Sequence, residues 1–174
     1  MNEVKIIDNI LTKNCVNHIK NLLTNLDFKI ANDFNNLDVF KENNMLQGMS
    51  RNTLDRQNIH EFNHLLYTRL NDVGIIITEL VCKRLKIKYK TIDRFMWNFY
   101  KQGEKGKEHT DMEGDEFYSI VYALNTSDGY IKIGDKKIYD IEDQAKIFKS
   151  NIPHQGFGPT KDKFRLNLNI LIQK

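Results

Sequence analysis

The sequence predicts an α+β domain, helices first and then a run of short antiparallel strands whose sheet curls into a sandwich or barrel. Two observations predict it. Up to about residue 90, apolar residues recur at helical spacing; beyond it the period shortens to two. No internal repeat and no Pro/Gly/Ser-rich linker interrupts the chain. Residues 1–174 are therefore read as one domain, with 1–90 a mainly helical support and 91–174 a β-barrel core.

The elements follow in order. Residues 4–7 read as a short strand. Cys15, Val16, Ile19, Leu22, Leu23 and Leu26 form one apolar stripe, with Thr12 at the N-cap. A second stripe runs from Ile59 through Phe62, Leu65, Leu66, Leu70, Val73, Ile76, Ile77 and Leu80 to Val81, and Gly74 is expected to divide it into two helices. Between the stripes, residues 31–56 are polar, Asn-rich and weakly periodic, which suggests loops and short strands reaching over a site. Strands are then expected over 92–100, 117–125, 130–133, 137–141, 145–149 and 164–172, with turns at Ser127-Asp128-Gly129, Gly134-Asp135 and Gly158-Pro159. The last strand alternates most cleanly. Leu166, Leu168, Ile170 and Ile172 take one face, and Arg165, Asn167 and Asn169 the other. Trp97 and Phe99 are expected in the core.

Composition narrows the class of function. A formal net charge of +3, with acidic and basic residues interspersed, gives no electrostatic case for nucleic acid or an anionic membrane. No apolar run approaches the ~20 residues of a membrane span. The start of the chain lacks the basic and apolar stretches of a signal peptide, so a soluble cytoplasmic protein is expected. Cys15 and Cys82 both fall on apolar helix stripes and read as two small buried hydrophobes rather than a redox pair.

The residues that carry chemistry lie in the β half. A strand points every second residue the same way, so His109-Thr110-Asp111 aims an imidazole and a carboxylate at one point. With a distant His154 they form a two-His, one-carboxylate set that leaves metal positions open, the arrangement expected of non-haem Fe(II) oxygenases. Arg165, eleven positions further on, can return beside that metal, and its planar fork suits a carboxylate. Taken singly, His109 or Asp111 could equally cap a turn. Asn167 and Asn169 could line a pocket or satisfy buried backbone groups.

From about Phe95 to the end, the chain resembles the 2-oxoglutarate/Fe(II)-dependent dioxygenases, specifically their prolyl 4-hydroxylase-like branch. The resemblance runs through Tyr100, Gly103 and His109-Thr110-Asp111, then Ser119-Ile120-Val121-Tyr122-Ala123-Leu124-Asn125. It continues through Asn151-Ile152-Pro153-His154 and ends in Phe164-Arg165-Leu166-Asn167-Leu168. Residues 4–23 also look like that branch. The resemblance implies a double-stranded β-helix (jelly roll) with helices packed on one sheet. It implies Fe(II) on His109, Asp111 and His154, 2-oxoglutarate as cosubstrate with Arg165 on its far carboxylate, and O₂ as oxidant. It also implies hydroxylation of a substrate C–H bond, a prolyl residue of a peptide or protein leading, with decarboxylation of 2-oxoglutarate to succinate. Many oxygen-sensing members of the branch carry a Tyr directly before the Leu-Asn; here Ala123 stands there, so Tyr100 is the candidate replacement hydroxyl. The loops 35–51, 102–108 and 112–116 are expected to form the rim that selects the substrate.

Two other readings compete. His60-Glu61-Phe62-Asn63-His64 matches the H-E-x-x-H of zinc peptidases, in which one helix turn separates two His ligands beside a Glu base. A third ligand is hard to find, Glu79 being the only convenient acid, and the motif also reads as a solvated helix face. The barrel could also bind a ligand without turning it over.

Overall fold

The computed structural model describes residues 4–25 and 61–174, with side chains over 4–23 and from 69 onward. Strand β1 (Lys5–Asp8) leads into helix α1 (Lys13–Asn25), and helix α2 (Glu61–Leu85) precedes the β half. There follow β2 (Thr91–Lys101), β3 (Phe117–Ala123), β4 (Ser127–Ile133), β5 (Lys136–Asp140), β6 (Gln144–Lys149), β7 (His154–Phe157) and β8 (Phe164–Gln173). Two antiparallel sheets face one another. The major sheet has the order β1-β6-β3-β8-β2, the minor sheet β5-β4-β7. Strands that alternate between facing sheets in this way make a double-stranded β-helix, as expected.

Period-two alternation gives the major sheet two unlike faces. On the outer face Phe95 and Trp97 of β2, Ile120 and Tyr122 of β3, Ala145 and Ile147 of β6, and Leu168 and Ile170 of β8 join Val16 and Ile19 of α1 and Leu70, Ile77 and Val81 of α2 in the main core. On the inner face, Val121 and Phe148 meet Ile131 and Ile133 of the minor sheet in a smaller apolar cluster. Beside Met96 and Leu171, that face also buries polar side chains: Asn98, Ser119, Lys146, Arg165, Asn167 and Asn169. A register shift between Ile92 and Arg94 keeps both residues' neighbours in phase, so that Arg94, Met96, Asn98 and Tyr100 share the inner face.

Several expectations are corrected. Gly74 does not divide α2, which runs unbroken. The glycine instead lets the helix lie against β2, since a Cβ there would come within 2.5 Å of the Phe95 ring. Ser127-Asp128-Gly129 is not a turn but the start of β4, with an irregular register against β5 between Ser127 and Tyr130. Gly129 serves close approach again: a Cβ would lie 2.8 Å from Cδ of Arg165. Strand β7 was not anticipated, because four residues centred on a glycine carry no readable period. Cys82 is buried, but Cys15 is exposed and its Sγ accepts a hydrogen bond from the Thr12 hydroxyl, which also caps the helix by accepting from the Cys15 amide. The readings of residues 31–56, the 35–51 rim and His60 fall outside the described residues.

Candidate active site

His154 opens β7, and the segment before it in space is not a regular strand. Residues 105–109 pair with β7 at two isolated points, Lys105 with Phe157 and His109 with His154. The His109 and His154 backbones exchange hydrogen bonds, and the Asp111 amide donates to the Ser150 carbonyl at 3.0 Å. This pairing brings the two imidazoles side by side, ring centroids 4.4 Å apart. Asp111 reaches under them from two residues on, as the His-x-Asp alternation requires.

Each ring is fixed from behind. Nδ1 of His109 lies 2.9 Å from the Lys107 carbonyl and Nδ1 of His154 3.0 Å from the Ile152 carbonyl. A carbonyl only accepts, so Nδ1 carries the proton in the neutral ring and Nε2 turns its lone pair inward. Nε2 of His109 is 3.7 Å and Nε2 of His154 3.4 Å from the Asp111 oxygens. One potential ligand atom from each residue lies within 4.8 Å of the others. Nε2 of His154 is buried without a hydrogen-bond partner. A buried lone pair aimed at a carboxylate and a second imidazole is costly without a cation to receive it, so the three side chains fit a divalent metal.

Asp111 is held from every side. Arg94 Nη2 donates to one oxygen, Ser119 Oγ to the other, and Asn169 Nδ2 approaches at 3.5 Å. Burial would raise this carboxyl, but His109, His154 and Arg94 outweigh it and keep Asp111 ionised far below the usual carboxylate range. The neighbouring Asp111 carboxylate, which would accept from the protonated ring, raises His109 against the effect of burial. His109 has a half-exposed side chain and marks the mouth of the cavity; His154 lies deeper.

Arg165 lies on the same inner face, at the closed end. The guanidinium is 1% exposed, its Nε donates to Asp140 Oδ2 at 2.7 Å, and its Nη1 has no hydrogen-bond partner. Asp140 accepts a second bond, from Lys146 Nζ at 2.8 Å. Burial would raise Asp140, yet Arg165 and Lys146 hold it below the ordinary value. Burial draws Lys146 down from the usual lysine value, and Asp140 opposes this. Tyr100 faces Arg165, whose Cζ stands 5.0 Å from the ring centroid. Its hydroxyl packs against Gly156, where a Cβ would come within 2.4 Å. Burial raises the Tyr100 hydroxyl pKa, with Arg165 opposing, so the phenol stays protonated and able to donate.

With this geometry in view, the chain can be set beside known proteins. No protein-family description and no curated protein sequence matches it. Solved structures do. AviO1 from Streptomyces viridochromogenes Tue57 superposes with a TM-score of 0.64 at 7% identity, over 99% of this chain and 90% of that one. A prolyl hydroxylase from Trichoplax adhaerens, in complex with a hypoxia inducible factor oxygen degradation domain peptide, gives 0.64 at 16% identity, over 99% and 84%. A Pseudomonas putida prolyl-4-hydroxylase gives 0.54 at 12%, over 98% and 92%. The chain has the prolyl-hydroxylase fold.

Within that fold the structure brings His109, Asp111 and His154 together and sets Tyr100 beside Arg165. Sequence reasoning missed Arg94, Asp140 and Lys146. Arg94 was within reach, since counting back by twos from Tyr100 places it on the polar face. Asp140 and Lys146 gave no signal, because single charges in alternating strands ordinarily mark solvent. For the zinc motif, Glu61 and His64 lie in the first turn of α2 with side chains outside the described set, as His60 is altogether. Among the described residues no other His, Cys, Asp and Glu cluster could hold a metal, and no helix is long and apolar enough to cross a membrane.

Proposed function

We propose that the chain is a cytoplasmic Fe(II)- and 2-oxoglutarate-dependent oxygenase, acting as one domain over residues 1–174, that hydroxylates a C–H bond. The carrying observation is the convergence of two freed imidazole Nε2 atoms on the buried Asp111, between the same two sheets as the unpaired Nη1 of Arg165. His109, Asp111 and His154 would hold the metal. Arg165 would bind the far carboxylate of 2-oxoglutarate, with Tyr100 the adjoining hydroxyl donor. A prolyl residue of a peptide or protein is the substrate favoured, supported by the peptide held by the Trichoplax enzyme of the same fold.

When bound, Fe(II), 2-oxoglutarate and O₂ supply the oxidation: one oxygen atom enters the substrate C–H bond, and the other goes to succinate as CO₂ leaves. The chain's own share is placement. The Lys107 and Ile152 carbonyls fix the imidazole tautomers, while Arg94 and Ser119 fix the carboxylate. Val121, Ile131, Ile133 and Phe148 wall the interior and exclude water from the reactive centre. The testing experiment is anaerobic titration of metal-free protein with Fe(II) and then 2-oxoglutarate. A weak visible charge-transfer band is expected, and should be missing in His154→Ala. No band in the unaltered protein would overturn the reading in favour of a non-catalytic barrel, and zinc in the purified protein would turn attention to His60 and His64.

A further inference from the structure

Lys146 has no place in the machinery just described. It sits on β6 opposite Val121, whose other cross-strand neighbour is Asn169, so its side chain enters the cavity layer beside Phe148 rather than solvent. It is fully buried, and Asp140 is its one hydrogen-bond partner among the described residues. Asp140 lies at the end of β5, in the opposite sheet, and its other oxygen takes Nε of Arg165. Three charges thus stand in a row, Lys146–Asp140–Arg165, each at most 1% exposed. A buried charge is tolerated when it is paired, and three charges cannot pair evenly. The row keeps one positive charge in excess.

Removing one member in thought shows what the excess does. With Arg165 and Asp140 alone, the guanidinium would be a closed ion pair with no net field to offer a ligand. With Lys146 present, Asp140 can grip Nε and fix the guanidinium plane without cancelling the charge at the closed end. The Nη1 edge is then left free at Gly156, where even a Cβ would lie only 3.1 Å away, and the Tyr100 ring covers the guanidinium face. Asp140 orients; Lys146 restores the charge that orientation would have cost.

We propose that Lys146 and Asp140 are positioning residues for the cosubstrate, setting the closed end of the cavity at one net positive charge so that it accepts a single carboxylate through Arg165. The identity of that carboxylate, the far end of 2-oxoglutarate, rests on the oxygenase reading; the geometry does not.

The test is titration of the Mn(II)-loaded full chain with 2-oxoglutarate and, separately, with 2-oxobutyrate, a keto acid lacking the far carboxylate. Four proteins are compared: unaltered, Lys146→Met, Asp140→Asn and the double variant. Lys146→Met neutralises the row and should weaken 2-oxoglutarate binding by at least about tenfold, leaving 2-oxobutyrate unchanged. Adding Asp140→Asn frees the charge of Arg165 again, so the double variant should bind 2-oxoglutarate more tightly than Lys146→Met alone. Equal binding by Lys146→Met and the unaltered protein would overturn the proposal. So would a double variant weaker than the single one, or a parallel loss for both keto acids, which marks a merely structural residue. If the unaltered protein binds neither keto acid, the oxygenase reading itself falls and this one with it. Lys146→Gln replaces Lys146→Met should the latter fail to fold.

Discussion

On its helix-facing side the major sheet presents Ile120, Leu168 and Ile170; one residue back along the same strands, its other side presents Ser119, Asn167 and Asn169. Both sides are buried, so exposure does not tell them apart. What differs is completeness. The outer face is saturated, apolar group against apolar group under α1 and α2. The inner face keeps several groups waiting: Nη1 of Arg165, Oδ1 of Asn98, Nδ2 of Asn167 and Oδ1 of Asn169 are all buried without partners, as is Nε2 of His154 on the facing minor sheet. A native interior leaves few polar atoms in that condition, and here they gather in the space between the two sheets. The contrast teaches that stability and chemistry are divided between the two faces and should respond to substitution separately.

The largest effects are expected on the inner face. Asp111→Ala should abolish iron binding and turnover while the melting temperature stays near that of the unaltered protein, read by metal analysis and thermal denaturation; retained activity would break the division. Arg165→Ala removes the proposed partner of the cosubstrate carboxylate, and a loss of about 2–5 kcal/mol should appear as a raised requirement for 2-oxoglutarate. A change confined to the affinity for the hydroxylated substrate would move Arg165 to another role. The opposite pattern belongs to the outer face. Gly74→Ala would force a Cβ into the Phe95 ring, and overpacking of this kind costs about 1–3 kcal/mol, against ~1 kcal/mol gained in helix propensity. The melting temperature should fall by a few degrees with turnover at low temperature untouched.

The smallest effect lies outside both faces. The exposed Asp128 carboxylate accepts hydrogen bonds from the Thr160 hydroxyl and the Thr160, Lys161 and Asp162 amides, which tether the loop leading into β8 and Arg165. These bonds hold its pKa below the ordinary carboxylate value. A depressed pKa means the tether's contribution is complete above the ordinary value and is lost progressively as the pH falls from there through the depressed one. Protection of the Thr160 and Lys161 amides, taken relative to the intrinsic exchange rate at each pH, should therefore fall on acidification, and Asp128→Asn should show the lowered protection already at neutral pH.

Much of this arrangement is legible in the sequence, for physical reasons. Strand β8 declares itself because both its faces are buried but only one is apolar, which makes the alternation visible. His109, Asp111, His154 and Arg165 are legible because those residue types on inward positions have few other uses. The glycines misled. Gly74 and Gly129 read as breaks in the chain, whereas both stand where two elements approach too closely for a side chain. Lys146 was illegible for a related reason. A lysine in a strand signals solvent unless its partner is known, and Asp140 comes from the facing sheet.

The minor sheet has three strands, and the place beside β7 is filled by the segment carrying His109 and Asp111, stitched to β7 at two separated points. The consequence concerns traffic. Two of the three proposed metal ligands ride on this loosely sewn border, whereas the third, His154, belongs to the woven cloth. Iron held there should therefore be gained or lost by a local parting of the border while both sheets stay assembled. Chelation should empty the protein without unfolding it, and reloading should need no refolding.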